Sequence, residues 1–190
     1  MCLIRNRLFV IFEKNTDKIM NYKKLNNELK TEAIQLGLCK EWQDEWNVET
    51  DKQKLIDKYF KGLDFPLKYH WPSNDYIKKN FEQPILRKNH ILVDDKYSLL
   101  NPKEAVILGD SASTIRVNGF YHSVIYIRDV SSGRITARNR SFVIIHLFES
   151  SFVKIEAFDS ANVLVLKHSK DVTIEASENV KIKNDFDYLK

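Results

Sequence analysis

Residues 123–151 read SVIYIRDVSSGRITARNRSFVIIHLFESS, and this stretch decides the fold. Ile125 and Ile127, Ile135 and Ala137, and Ile145 and Leu147 are apolar pairs with one residue between them, the period of a strand. The small polar clusters between them, Ser131-Ser132-Gly133 and Asn139-Arg140-Ser141, suit tight turns. Outward from here the alternation continues through Ile115/Val117 on one side, and on the other through Val153/Ile155, Val163/Val165, Val172/Ile174 and Val180/Ile182. Successive pairs lie 10, 10, 10, 8, 10, 9 and 8 residues apart. Turns at Gly109-Asp110-Ser111, Asn118-Gly119, Ser150-Ser151, Asp159-Ser160-Ala161, Ser169-Lys170-Asp171 and Ser177-Glu178-Asn179 keep the same beat. A repeat this short leaves no room for crossover helices and predicts a small parallel β-helix, a β-solenoid.

The strands alternate in kind. Val124-Ile125-Tyr126-Ile127, Val143-Ile144-Ile145-His146-Leu147 and Val163-Leu164-Val165-Leu166 are apolar on both faces. Those between them, such as Arg134-Ile135-Thr136-Ala137-Arg138 and Val153-Lys154-Ile155-Glu156-Ala157, put polar residues on one face. The first kind is buried on both sides, and the second has one side in water. One coil therefore takes about 20 residues, with one dry and one wet outer face. The dry face needs a cover: the helical half foremost, otherwise a second copy or a partner.

The period before residue 91 is helical. Leu25, Leu29, Ala33 and Leu36 share a face, and Gly37 stops the run. Trp42 and Trp46 lie one turn apart. Thr50-Asp51-Lys52-Gln53 has the form of a capping box ahead of Leu55, Ile56, Tyr59 and Phe60, with Gly62 as the stop. Pro72-Ser73-Asn74-Asp75 opens a further helix carrying Tyr76, Ile77 and Phe81. The aromatic residues of this half follow the helical period, which makes them core rather than a base-stacking set. The class is α+β: a small helical bundle over residues 20–90 followed by a solenoid over 91–190.

Composition bounds the rest. Of 190 residues, 43% are hydrophobic and 12% aromatic, too many for a disordered or collagen-like chain. The longest clean apolar run, Leu8–Phe12, falls far short of the roughly 20 residues of a membrane span. Arg5 and Arg7 precede it and Glu13-Lys14-Asn15 follows, with no small-residue cleavage site, so it does not read as a secretion signal. Residues 1–19 either add a strand or short helix to the core or form an upstream extension, with Met20 the natural start. Cys2 and Cys39 stand apart and outside any C-x-x-C motif, as free thiols of a reducing, cytoplasmic compartment do.

Net charge is +4, too mild to define a nucleic-acid binder, but its distribution is uneven. Between residues 109 and 148 five arginines stand against two aspartates; from 149 to 190 six lysines stand against eight carboxylates. Arg116, Arg128, Arg134, Arg138 and Arg140, with Tyr126 beside them in sequence, form the candidate partner or nucleic-acid surface. Arginine suits bidentate contact with phosphate or carboxylate. The alternative is a solvated face whose stems cover apolar edges. His122, His146 and His168 are spaced near one coil and could stack, yet nothing in the spacing demands a metal. No nucleophile elbow, Walker loop, dinucleotide fingerprint or H-E-x-x-H is present. Asp94-Asp95 reads as a turn, and Asp110, Asp129 and Asp159 fall at turn positions. A non-enzyme without cofactor is expected.

One resemblance adds to this. Leu36-Gly37-Leu38-Cys39-Lys40-Glu41-Trp42-Gln43-Asp44-Glu45-Trp46, Lys61-Gly62-Leu63-Asp64-Phe65, Trp71-Pro72-Ser73-Asn74-Asp75-Tyr76-Ile77-Lys78-Lys79 and Ile91-Leu92-Val93-Asp94-Asp95 resemble a family of small proteins from bacteriophages and mobile elements of gut and related bacteria. Ala157-Phe158-Asp159-Ser160-Ala161-Asn162-Val163 is similar to that family's degenerate repeat. The similarity runs from about Met20 to the end. It implies a mobile-element setting, where small binding proteins inhibit host defence. The expected function is inhibition of a host protein or ribonucleoprotein, an RNA-guided nuclease foremost (an anti-CRISPR), with contact to protein, guide-RNA backbone or both. The alternative is a phage structural or assembly protein, a homo-oligomeric β-helix scaffold; a glycan-binding module comes last.

Overall fold

The computed structural model describes residues 22–47 and 51–189; the reading of residues 1–19 falls outside them. The chain divides into two compact units, Met1–Ser73 and Asn74–Lys190. The switch from helix to strand near residue 90 is thus not where the units part: two helices belong with the solenoid.

In the first unit residues 22–35 form helix α1, whose Leu25, Leu29 and Ala33 are buried, as their spacing requires. Helices α2 (Lys40–Glu45), α3 (Lys52–Lys61) and α4 (Asp64–Tyr69) follow. The cap of α3 is Asp51, whose carboxylate accepts from the Lys54 N–H at 2.9 Å. Gln53 donates to Asp57 at 2.8 Å, while Thr50 lies outside the described residues. The helix stops at Gly62 as expected, its N–H donating to the Lys58 carbonyl, but with φ −117° rather than in the left-handed region. A Cβ there would come within 3.2 Å of the Trp42 ring, and glycine leaves that ring room. Trp46 and Trp71 are buried edge to face, 6.1 Å between centroids, and Trp46 Nε1 donates to Asn26 at 3.1 Å. These two indoles are core, as expected.

The second unit starts with α5 (Asn74–Asn80) and α6 (Gln83–Lys88). Then come β1 (Ile91–Val93), β2 (Lys96–Leu100), β3 (Glu104–Leu108), β4 (Ala112–Asn118), β5 (His122–Ile127), β6 (Ser132–Arg138), β7 (Phe142–Leu147), β8 (Phe152–Ala157), β9 (Asn162–Lys167), β10 (Thr173–Ala176) and β11 (Lys181–Asn184). Odd strands form one sheet in the order β1-β3-β5-β7-β9-β11, and even strands the other, β10-β8-β6-β4-β2. Neighbours within each sheet are parallel, one coil apart: Ala112 pairs with Ser132 and Ser132 with Phe152. This is the parallel solenoid that the repeat predicts, and the middle coils keep 20 residues each.

The inward residues stack in columns. Ile115, Ile135 and Ile155 line up on the even sheet, and Ile125, Ile145 and Val165 on the odd one, each at most 1% exposed. Each such side chain contributes about 2 kcal/mol by burial, which is how a unit with short strands holds together. The two-sided apolar strands β5, β7 and β9 all fall in the odd sheet, and the alternating ones in the even sheet.

Two corners turn the chain between sheets. Gly109, Asp129 and Glu149 mark one, and Gly119, Asn139 and Asp159 the other, all with φ between +46° and +85°. Glycine, Asn and Asp tolerate that region. Side chains one coil on tie the corners together: Asp129 accepts from the Gly109 N–H at 2.6 Å, Glu149 from the Asp129 N–H at 3.1 Å, and Asp159 from the Asn139 N–H at 3.4 Å. Asp129 and Asp159 are therefore structural. Helices α5 and α6 pack on β1 and close the start of the solenoid. Asn74 donates to Asp129 at 2.9 Å, Lys78 pairs with Asp94, and Arg87 holds Asp95 bidentately at 2.7 and 2.8 Å. Both carboxyls sit below their usual range, Asp94 through Lys78 and Asp95 through Arg87.

Candidate functional site

Four of the six candidate residues gather in one place. Arg116 projects from β4 and Arg134 and Arg138 from β6, on the outer face of the even sheet, and Arg140 follows at the next corner. The register sets Arg134 beside Thr114, Arg116 beside Thr136 and Arg138 beside Asn118. With strands about 4.8 Å apart and about 6.7 Å between alternate residues, Arg116 and Arg134 are diagonal neighbours with Cα atoms about 8 Å apart. All four are exposed, and among the described residues none of them forms an ion pair. Further along the wall charges mix: Lys154 pairs with Glu175 at 3.6 Å, and Glu156 lies beside Thr136. The arginine wall is thus confined to the earlier coils, where the sequence places the basic excess.

Tyr126 and Arg128 are elsewhere. Tyr126 lies on β5, in the odd sheet, stacked on His146 with centroids 4.7 Å apart; burial raises its phenol pKa. Arg128 is 2% exposed. Its guanidinium grips Glu149 at 2.7 and 3.3 Å and lies 5.2 Å from the Phe148 ring centroid. The reason is topological. A coil of about 20 residues in two strands sends positions about ten apart to opposite walls, so sequence neighbourhood does not group them. Arg128 is a buried structural cation, and a partner surface does not include it.

The dry wall is the outer face of the odd sheet. In the second unit the chain's own end supplies part of its cover. The Tyr188 ring sits 4.5 Å from His168 and 5.1 Å from His146, centroid to centroid. His168 Nδ1 lies 2.7 Å from the Asp185 carbonyl, so it donates there; its Nε2, 3.0 Å from His146 Nδ1, then accepts from the second ring. The surroundings drive both imidazoles toward the neutral form. Burial, with His168 adjacent, pushes His146 down to about 4, and burial also lowers His168. So two of the three spaced histidines do stack, while His122 stacks on Phe142 instead. Among the described residues no group of three or more His, Cys, Asp or Glu is placed to hold a metal.

The second corner holds what the sequence reading missed. Phe120, Tyr121, Phe142 and Phe158 are all exposed, beside Arg138 and Arg140. They fall within three residues of the left-handed turn residues Gly119, Asn139 and Asp159 on three successive coils, a signal available once aromatics are scanned against the turns rather than at the helical period.

The first unit has a cleft of about 300 Å³ floored by Trp42 and Trp46, with Lys58 Nζ 4.6 Å from the Trp46 ring centroid and Lys61 Nζ 5.0 Å from that of Trp42. Its lysines lie over its own indoles.

No protein-family model matches the chain, nor does any curated protein or solved structure.

Proposed function

We propose that the protein is a non-enzymatic binding protein that disables a host defence complex, an RNA-guided nuclease foremost. The observation that carries this is the set of exposed arginines, Arg116, Arg134, Arg138 and Arg140, held on a rigid wall and corner without ion pairs among the described residues. Guanidinium groups fixed at strand spacing offer bidentate contacts to phosphate or to a run of carboxylates. The phage-like resemblance supplies the setting, the cytoplasm of a bacterial host.

The scaffold alternative ranks below it. Among the described residues β11 is paired on one side only, with β9, and it carries Lys181 and Lys183 on either side of Ile182, all exposed, a pattern that blunts end-to-end pairing. Sedimentation of the pure protein separates the two, since a filament or stable trimer favours the scaffold.

The direct test is affinity capture from a host that carries a guide-RNA effector, with and without RNase, beside an Arg134→Glu/Arg138→Glu variant. The expected result is recovery of the effector by the native chain. The double variant then binds at least tenfold more weakly, with a flatter salt dependence, because released counterions set that slope. Recovery of only the protein itself or of virion components overturns the proposal.

A further inference from the structure

The second corner presents a surface that the arginine wall does not use. Phe120 is 82% exposed, Tyr121 51%, Phe142 42% and Phe158 39%, on three consecutive coils. Leaving side chains this large in water gives up burial that a folded core would take, and an apolar patch rimmed by polar groups marks an interaction site. The patch is organised. The Arg140 guanidinium stands 5.3 Å from the Phe120 ring centroid and that of Arg138 4.4 Å from Phe158. His122 and Phe142 stack at 5.4 Å with 17° between planes. The corner segments 118–122, 138–142 and 158–162 contain a single carboxylate, Asp159, and it accepts from the Asn139 N–H.

Flat rings and flat cations therefore alternate along one edge with almost no negative charge. The partner that complements this must offer planar apolar faces and repeated negative charge together. Unpaired nucleotides do both: bases stack on aromatic rings or on guanidinium planes, and phosphates meet the remaining N–H donors. A duplex hides its base faces, and an acidic protein segment brings charge without flat rings in series. We propose that this corner is a stacking platform for single-stranded nucleic acid. Bases lie on the Phe120–Arg140 and His122–Phe142 pairs, and the backbone continues toward Arg138, Arg134 and Arg116. The inference rests on the wall being a polyanion surface, and it adds that the polyanion is unpaired.

The test is fluorescence anisotropy of the full chain with labelled oligo-uridine and oligo-deoxythymidine of about twelve nucleotides, a duplex of the same length, and a salt series. Single strands are expected to bind at least tenfold tighter than duplex. Phe120→Ala/Tyr121→Ala is expected to lose about tenfold or more on single strands, stacking being worth about 1–3 kcal/mol per base, with the salt slope unchanged. Arg116→Glu/Arg134→Glu is expected to weaken single strand and duplex alike and to flatten the slope. Preference between the uridine and deoxythymidine strands identifies RNA or DNA as the source. If duplex binds as well as single strand and the aromatic variant changes nothing, the stacking platform falls while the arginine wall stands. If no oligonucleotide binds and an acidic protein is captured through Phe120, the corner is a protein-binding edge and this inference is overturned.

Discussion

The two corners of the solenoid use one backbone device and come to opposite ends. Each turns the chain on a left-handed residue once per coil. At the first corner the carboxylates of Asp129 and Glu149 are consumed within the unit, while Asp110 and Val130 stay exposed. Asp129 takes the Gly109 N–H and Asn74, and Glu149 takes Arg128. At Gly119, Asn139 and Asp159 the flanking arginines and rings stay open to solvent, with Phe120 the most exposed large apolar residue described. The closed corner shows that the fold can satisfy charged groups internally, Arg128 among them. Those left open on the other corner are therefore not a requirement of turning, and that is the argument for function there.

The comparison breaks hardest at Gly109. Its φ of +73° is strained for any side chain, and a Cβ would stand 2.0 Å from the Asp94 carboxylate. That carboxylate already accepts from the Asp110 N–H at 2.8 Å and pairs with Lys78 of α5. Gly109→Ala should then cost about 2–4 kcal/mol, through backbone strain and loss of these bonds. Urea denaturation measures it, and a loss below about 1 kcal/mol would show that α5 yields freely and that this corner is not tightly built.

A pH effect of intermediate size tests the wall beyond the closed corner. His146 titrates near its ordinary 6.5 when unfolded but near 4 when folded. Protons are taken up by the unfolded chain first, so stability is whole above pH 6.5 and falls as pH drops toward 4. The slope from this group is at most about 1.4 kcal/mol per unit, and the lowered His168 acts in the same direction. The groups facing the pair are Tyr126, Tyr188, Glu149 and the Asp185 carboxylate, 3.8 Å from His168 Nδ1. The two carboxylates favour a charged His168 and soften the fall. Denaturation at pH 7 and pH 5 should show the loss, and His146→Phe should remove most of it. An unchanged slope in that variant would place the acid sensitivity in other residues.

What the chain revealed in advance follows from these contacts. The core was legible because alternation and the coil period both act on neighbours that are regular in sequence: Ile115, Ile135 and Ile155 announce their own column. The wet and dry walls were legible for the same reason. Arg128 was not, because its partner Glu149 lies 21 residues on and becomes a neighbour only once the coil closes. Tyr126 was grouped with arginines that the turn after β5 carries to the other wall. The α3 cap lies one residue further on, at Asp51, because a carboxylate in extended backbone meets the Lys54 N–H as well as a threonine would. The corner aromatics escaped notice because a lone Phe in a turn carries no periodic signal within its own strand.

The smallest effect is the most discriminating. Phe120→Ala and Arg140→Ala should each change stability by no more than about 0.5 kcal/mol, since exposed substitutions away from buried networks seldom do more. Arg128→Ala, just before the turn of the closed corner, loses an ion pair to Glu149 and a packed Phe148, and should cost several times as much. Parallel urea melts of the three variants measure the contrast directly. If Phe120→Ala destabilises as strongly as Arg128→Ala, the open corner is part of the structural core and its rings need no partner to explain them. If it is neutral in stability, those rings are free to be used, and their retention at the surface points to something that binds there.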